Sequence, residues 1–244
     1  MKRILRLLVL LIYSPSRAFD EVKESSGWMW LVPAIILIGS LCFRAIVSAS
    51  ASAILAKEQL EKQLSQLPQQ ELSNLPPVVA HGPSPVFLAT TAIISGIVML
   101  FLGWLIRSFL LHLGSLALGG QGSFGQMFVA AGWAYLPYGI RDLVQGIYSL
   151  LTGKVITQPG LSSLVATGDP IKDSANAMYL LLGRLDIFVI WSVVLLALGV
   201  SAVGGFSRKK GGFLAFGYWA LVTLLSILPS LVVRKFLPSG PFGP

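Results

Sequence analysis

Apolar residues along this chain gather into long unbroken stretches, each bounded by short runs rich in Gly, Pro, Ser or charge. A helix crossing about 30 Å of hydrocarbon needs about 20 residues, which sets the length to look for. Five stretches reach it. The first runs from about Trp28 to Ser52, opening on the interfacial pair Trp28 and Trp30, with Pro33 in turns that tolerate proline. The second runs from about Pro85 to Leu111 and the third from about Phe124 to Leu151, where Pro137 and then Arg141 and Asp142 predict a kink. The fourth spans about Met178 to Phe206, and the fifth about Gly212 to Val233, with Trp219 and a late Pro229. The pattern predicts an all-α fold: a polytopic membrane bundle of five transmembrane helices in one domain over 24–236, with a short interfacial helix and linker at 1–23 and a flexible tail at 237–244.

The first 18 residues admit two readings. "MKRILRLLVLLIY" followed by Ser16 and Ala18 imitates a signal peptide with a small-x-small cleavage site, but its apolar core is short and Arg17 lies inside that site. The other reading is a retained amphipathic helix, with Lys2, Arg3 and Arg6 reaching headgroups while the leucines face acyl chains; retention is the expectation. The largest connector, about Ala53 to Ser84, holds the short repeat "LSQLP" and "LSNLP" and no catalytic cluster. Leu60, Leu64 and Leu67 share a helical face, so the stretch before Pro68 either prolongs the first helix or is a solvated connector.

Composition strengthens the membrane reading. Hydrophobic residues make up 55% of the chain and charged ones 11%, against about 25% in an average soluble domain. Lys and Arg outnumber Asp and Glu by 18 to 10, but they sit mainly between apolar stretches, as topology signals and anionic-lipid contacts do, and no basic-aromatic module for nucleic acid is present. With the N-terminus cytoplasmic, that side carries nine cations: Lys2, Arg3, Arg6, Arg17, Lys23, Arg107, Arg208, Lys209 and Lys210. The other side carries six, and the basic turn Arg208, Lys209, Lys210 lies in a short loop, where the positive-inside rule is most reliable. The expectation is a multi-pass protein of the plasma (inner) membrane, N-terminus in and C-terminus out. Cys42 is a lone cysteine, no Cys or His grouping has metal-ligand spacing, and no cofactor is expected.

Three segments carry a family resemblance. "SPSRAFDEVKESSGWMWLVP" is similar to the opening of the bacterial branch of the Yip (Ypt-interacting protein) membrane family, with a proline, an aromatic and an acidic turn before the first membrane helix. "LLHLGSLALGGQGSFGQMFVAAGWAYLP" resembles that family's glycine-rich turn between helices two and three and the proline after it. "LDIFVIWSVVLLALGVSAVGGFSRKKG" resembles its fourth helix, with Asp186, Phe188 and Trp191 at the head and a basic turn at the foot. The resemblance implies five membrane helices with a cytoplasmic N-terminus and a first segment that belongs to the mature fold. Eukaryotic members are associated with small GTPases and vesicle traffic; for bacterial members the resemblance implies a fold more than a job.

Charges inside membrane helices are costly and are therefore candidate sites. Counting residues from the helix ends puts Arg44, Asp142 and Asp186 at similar depths in the outer half, with Arg141 and Arg184 beside them. Either Arg44, Asp142 and Asp186 neutralise one another and hold the helices in register, or the surplus arginine receives a lipid phosphate or another anion. In helix four Ala197, Ser201 and Gly205 recur every four residues and would let another helix, of this chain or of a second copy, come close. His112 reads as an interfacial side chain, and "GGQGSFG" as a tight turn, since no Lys-Ser or Lys-Thr follows it. No nucleophile and base share a depth, so no enzyme is expected. The leading expectation is a non-enzymatic membrane-organising or scaffold protein whose partners are membrane lipids, including anionic headgroups, and itself or another membrane protein. The competing one is a small transporter or channel for an anion, lipid or proton that uses the charge cluster. Helices two and five offer few polar residues for a continuous path, which favours the scaffold.

Overall fold

The computed structural model describes residues 2–25, 27–65 and 82–236, so the end of the first copy of the short repeat with Leu67, the whole second copy and the 237–244 tail lie outside the described residues. Among the described residues all regular structure is helical. Helices α1 (Lys2–Tyr13) and α2 (Pro15–Lys23) are separated at Ser14, where Pro15 supplies the first residue of the new helix. A 3-10 turn (Gly27–Trp30) leads into α3 (Leu31–Leu64), followed by α4 (Pro85–Ala117), α5 (Phe124–Ala134) and α6 (Leu136–Thr152). After a connector come α7 (Pro170–Ala175), α8 (Ala177–Leu182), α9 (Ile187–Gly204) and α10 (Arg208–Phe236).

Among the described residues, four helical stretches are by themselves long and apolar enough to cross a membrane: Gly27–Lys62, Pro85–Ala117, Ile187–Gly204 and Arg208–Pro229. The third predicted stretch is instead two helices, of 11 and 17 residues, parted at Tyr135. Pro137 is the cause, because it has no N–H to give the carbonyl of Trp133 and its ring crowds that carbonyl. The chain tightens there, with the Tyr138 amide donating to Tyr135 at 2.9 Å, and the Ser192 hydroxyl of α9 donates to the carbonyl of Ala134 at 2.7 Å. The fourth predicted stretch is also shorter than expected, since residues 177–182 form the separate α8 and α9 begins only at Ile187.

The chain divides into two compact units. The first comprises residues up to 37, 102–138 and those from 157 on. Its centre is α9, which packs on α10, α5 and α2, while α1 lies on α2. Gly199 of α9 admits the Phe19 ring of α2; a Cβ there would stand 2.9 Å from it. Gly132 of α5 does the same for Trp104, whose indole N–H donates to the Phe128 carbonyl at 2.7 Å and whose ring stacks on Phe128 at 4.8 Å. Trp133 donates to the Met29 carbonyl at 3.3 Å, and Ser123 with Gln126 forms a capping box at the head of α5. Around this core the helices are inside-out. On α4 the buried residues are Trp104, Arg107, Ser108, Leu111 and Ser115, while Leu102, Leu105, Ile106, Phe109, Leu110 and Leu113 are exposed. Water would penalise such a face, and acyl chains do not.

The second unit comprises 38–101 and 139–156 and is held by close helix approaches. Gly96 of α4 abuts Leu41 of α3, and Gly146 of α6 lies over the Phe43 ring and the backbone of Arg44, where small residues replace the hydrophobic drive that lipid cannot supply. Ile46, Ile54, Ile94, Val98 and Met99 face outward.

Candidate functional site

The five charges expected inside the bundle divide between the units. In the second, Arg44 Nε lies 3.0 Å from Asp142 Oδ1, with side chains 39% and 13% exposed. The arginine N–H is not aimed along that line, so the contact is an ion pair without a well-formed hydrogen bond; the Coulomb attraction does not depend on that aim. Gly146 makes the meeting possible by letting α6 reach the backbone of Arg44, and Arg141 brings a second cation alongside the same carboxylate. In the first unit, Asp186 is not eight residues inside a helix. It is the N-cap of α9, extended in its backbone, and its carboxylate accepts from the Phe188 amide at 2.7 Å. Arg184 lies in the short turn before it.

Ala197 and Ser201 do receive another helix, and it belongs to the same chain. Gly211 of α10 sits against the Ser201 side chain and the Ala197 carbonyl, where any Cβ would overlap them. Gly205 serves differently, capping α9 in the left-handed region at φ +68°. Pro137 marks the α5–α6 break already described. Arg208, Lys209 and Lys210, expected in a loop, form the exposed first turn of α10, and the Lys210 ammonium donates to the Leu118 carbonyl near the end of α4 at 3.0 Å.

Beside that turn the first unit opens a cleft of about 330 Å³. Helix α2 contributes Ser16, Asp20 and Lys23; α9 contributes Leu198, Ser201 and Ala202; and Gly205, Phe206 and Arg208 close it. Two cations, one carboxylate and two hydroxyls therefore surround an apolar floor, an arrangement suited to an anionic group attached to an apolar body. From the sequence, Ser16 enters only as part of an imitated cleavage site, Lys23 only as a cytoplasmic cation, and Asp20 is not singled out. Their signal was the period of α2, where these three fall on one face and the buried Ala18, Phe19 and Val22 on the other. Nearby on α1, Leu7 and Leu11 are buried, whereas Leu5, Val9 and Ile12 form an exposed apolar row and Arg6 pairs with Glu21 at 2.7 Å.

Arg107 is a second residue that sequence reasoning misplaced. Counted among the cytoplasmic cations, it is 7% exposed and faces the interior of the first unit. Its guanidinium carbon stands 3.3 Å from the centre of the Tyr135 ring and 5.3 Å from that of Tyr218. His112, one turn on, meets the Phe124 ring edge to face at 5.9 Å, with Nδ1 buried and unbonded.

Outside the apolar helices, Asp173 closes the connector. The Thr167 amide and hydroxyl donate to its carboxylate at 2.7 and 2.8 Å, and these bonds, the backbone one foremost, hold its carboxyl below the usual carboxylate range. Among the described residues no group of three or more His, Cys, Asp or Glu side chains could hold a metal.

The Yip1 domain family model matches residues 9–229. A curated relative, "Membrane protein YknW" of Bacillus subtilis (strain 168), is 28% identical over 225 residues, covering 91% of this chain and 88% of the relative. No solved structure matches.

Proposed function

The chain belongs to the Yip1 domain family of membrane proteins, and on that premise we propose that it is a non-enzymatic membrane-organising protein that gathers anionic phospholipids. The observation that carries this reading is the cleft where Lys23 and Arg208 stand with Ser16 and Ser201 around an apolar floor. A phosphodiester headgroup would meet the two cations and the Ser16 hydroxyl, while Ser201 donates to the Ala197 carbonyl at 2.7 Å, and Asp20 would disfavour a second negative charge. The exposed row Leu5, Val9 and Ile12 on α1 fits a helix lying in the interface beside that headgroup, with Arg3 and Lys2 adding long-range attraction. The membrane in this reading is the bacterial inner membrane, with the N-terminus and the cleft on the cytoplasmic side and the C-terminus outside.

The test is lipid retention by protein purified from mixed vesicles of phosphatidylglycerol and phosphatidylcholine. The intact chain is expected to carry phosphatidylglycerol above its share in the vesicle, and Lys23→Gln with Arg208→Gln to lose the enrichment. Retention that mirrors the bulk mixture sinks the proposal. Ion or lipid flux through reconstituted vesicles, abolished by changing Asp142, would put a transporter in its place.

A further inference from the structure

A charge in a membrane helix has to be answered by something. Arg44 is answered by Asp142. Arg107 is not: among the described residues it has no ion pair and no hydrogen bond, and its Nε and Nη1 are both buried with nothing to donate to. What it has is a ring against its flat face, Tyr135 at 3.3 Å, with a second, Tyr218, at 5.3 Å. Rings offset the charge through their faces, but guanidinium N–H bonds lie in its plane and point away from whatever covers the faces. The adjacent hydroxyl, Ser108, donates to the Trp104 carbonyl at 2.7 Å and accepts nothing from the Arg107 Nε or Nη1.

We propose that Arg107 is the receptor of an oxyanion within the first unit, a phosphate group held by the unbonded edge of its guanidinium while Tyr135 supports one face. The donor chemistry selects the class: a planar fork of N–H groups matches two oxygens of a phosphate better than a single-atom anion. Trp219, next to Tyr218 on α10, also has its indole N–H buried and unbonded, so the same unit holds another donor without an acceptor. A lipid headgroup and free phosphate present the same oxygens. The cleft takes no part, because none of Arg107, Tyr135 or Tyr218 lines it.

Thermal unfolding of the delipidated full chain in neutral detergent tests the idea, with inorganic phosphate, phosphatidylglycerol, phosphatidylcholine or chloride added at equal ionic strength. The midpoint is expected to rise with phosphate or phosphatidylglycerol and not with chloride. Of the part that Arg107→Gln removes, a response to phosphate alone identifies the free ion, and one to phosphatidylglycerol beyond phosphatidylcholine identifies the lipid. Arg107→Gln should cut the response to the part the cleft supplies, and a response equal to wild type overturns the assignment; Arg107→Lys, which keeps the charge without the fork, should weaken the affinity on the order of tenfold. The cleft is intact in all three proteins, so their differences read this site alone. Where Arg107→Gln fails to fold, Arg107→Lys decides: weakened binding supports the assignment and unchanged binding overturns it. A wild-type midpoint indifferent to both phosphate and phosphatidylglycerol overturns it as well.

Discussion

Arg44 and Arg107 both project from long apolar helices, yet one stands 3.0 Å from a carboxylate and the other lies against tyrosine rings with two nitrogens unbonded. The second unit uses its charge to hold α3 to α6, and Gly146 removes the side chain that would keep those helices apart. The first unit holds its charge with aromatic faces and leaves the donor edge unbonded. In a solvent that offers no hydrogen bonds, the groups left unanswered say more about use than the pairs do.

The widest gap between the two should come from Asp142→Asn, which strands Arg44. A loss of about 2–3 kcal/mol is expected, less than for a fully buried pair because the arginine is 39% exposed. Adding Arg44→Gln to that variant should restore part of the loss, as unfolding in detergent would show. If the single change costs nothing, the pair is not what joins α3 to α6. Next in size is Tyr135→Leu, which strips the ring from Arg107 while keeping an apolar side chain. About 0.5–2 kcal/mol should be lost in the same assay, together with weaker phosphate binding. Equal phosphate binding without the ring would mean that the aromatic support is incidental. The smallest effect belongs to Asp173, outside the apolar helices. Its carboxyl titrates lower in the folded connector than in the unfolded chain, so its contribution is complete above the unfolded pKa of about 4 and fades as pH falls through the folded value. Protection of the Thr167 amide, taken against its intrinsic exchange rate at each pH, should fall below that pH and stay level from about pH 5 upward; a change in protection near neutrality would point to another group.

Much of this fold is legible from length and hydropathy alone, because a membrane helix must satisfy its own backbone and advertises that need as an apolar run. Pro137 signals the disturbance in the third run, but the partner that satisfies the Ala134 carbonyl at the break, the Ser192 hydroxyl, arrives from 58 residues away. Asp186 looks like an intramembrane charge when the run is taken to begin at Met178. Once α9 begins at Ile187, the same residue becomes an ordinary cap. Arg107 is misjudged for a similar reason. Ending the second run at Leu111 places it near an interface, whereas the helix continues to Ala117 and Arg107 joins the buried face of Trp104, Ser108, Leu111 and Ser115. The cleft is hardest to read, since it exists only where α2 is laid against the end of α9, two segments some 180 residues apart in the sequence.

Helix α4 is 33 residues long and α3 is 34. At a rise of about 1.5 Å per residue each extends about 50 Å, well beyond the hydrocarbon thickness of an ordinary bilayer. Such rods must lean, emerge past the headgroups or thicken the lipid around them, and each of these responses carries a modest elastic cost that changes with acyl-chain length. Lipid thickness is thereby built into the energetics of this protein, quite apart from any headgroup it binds.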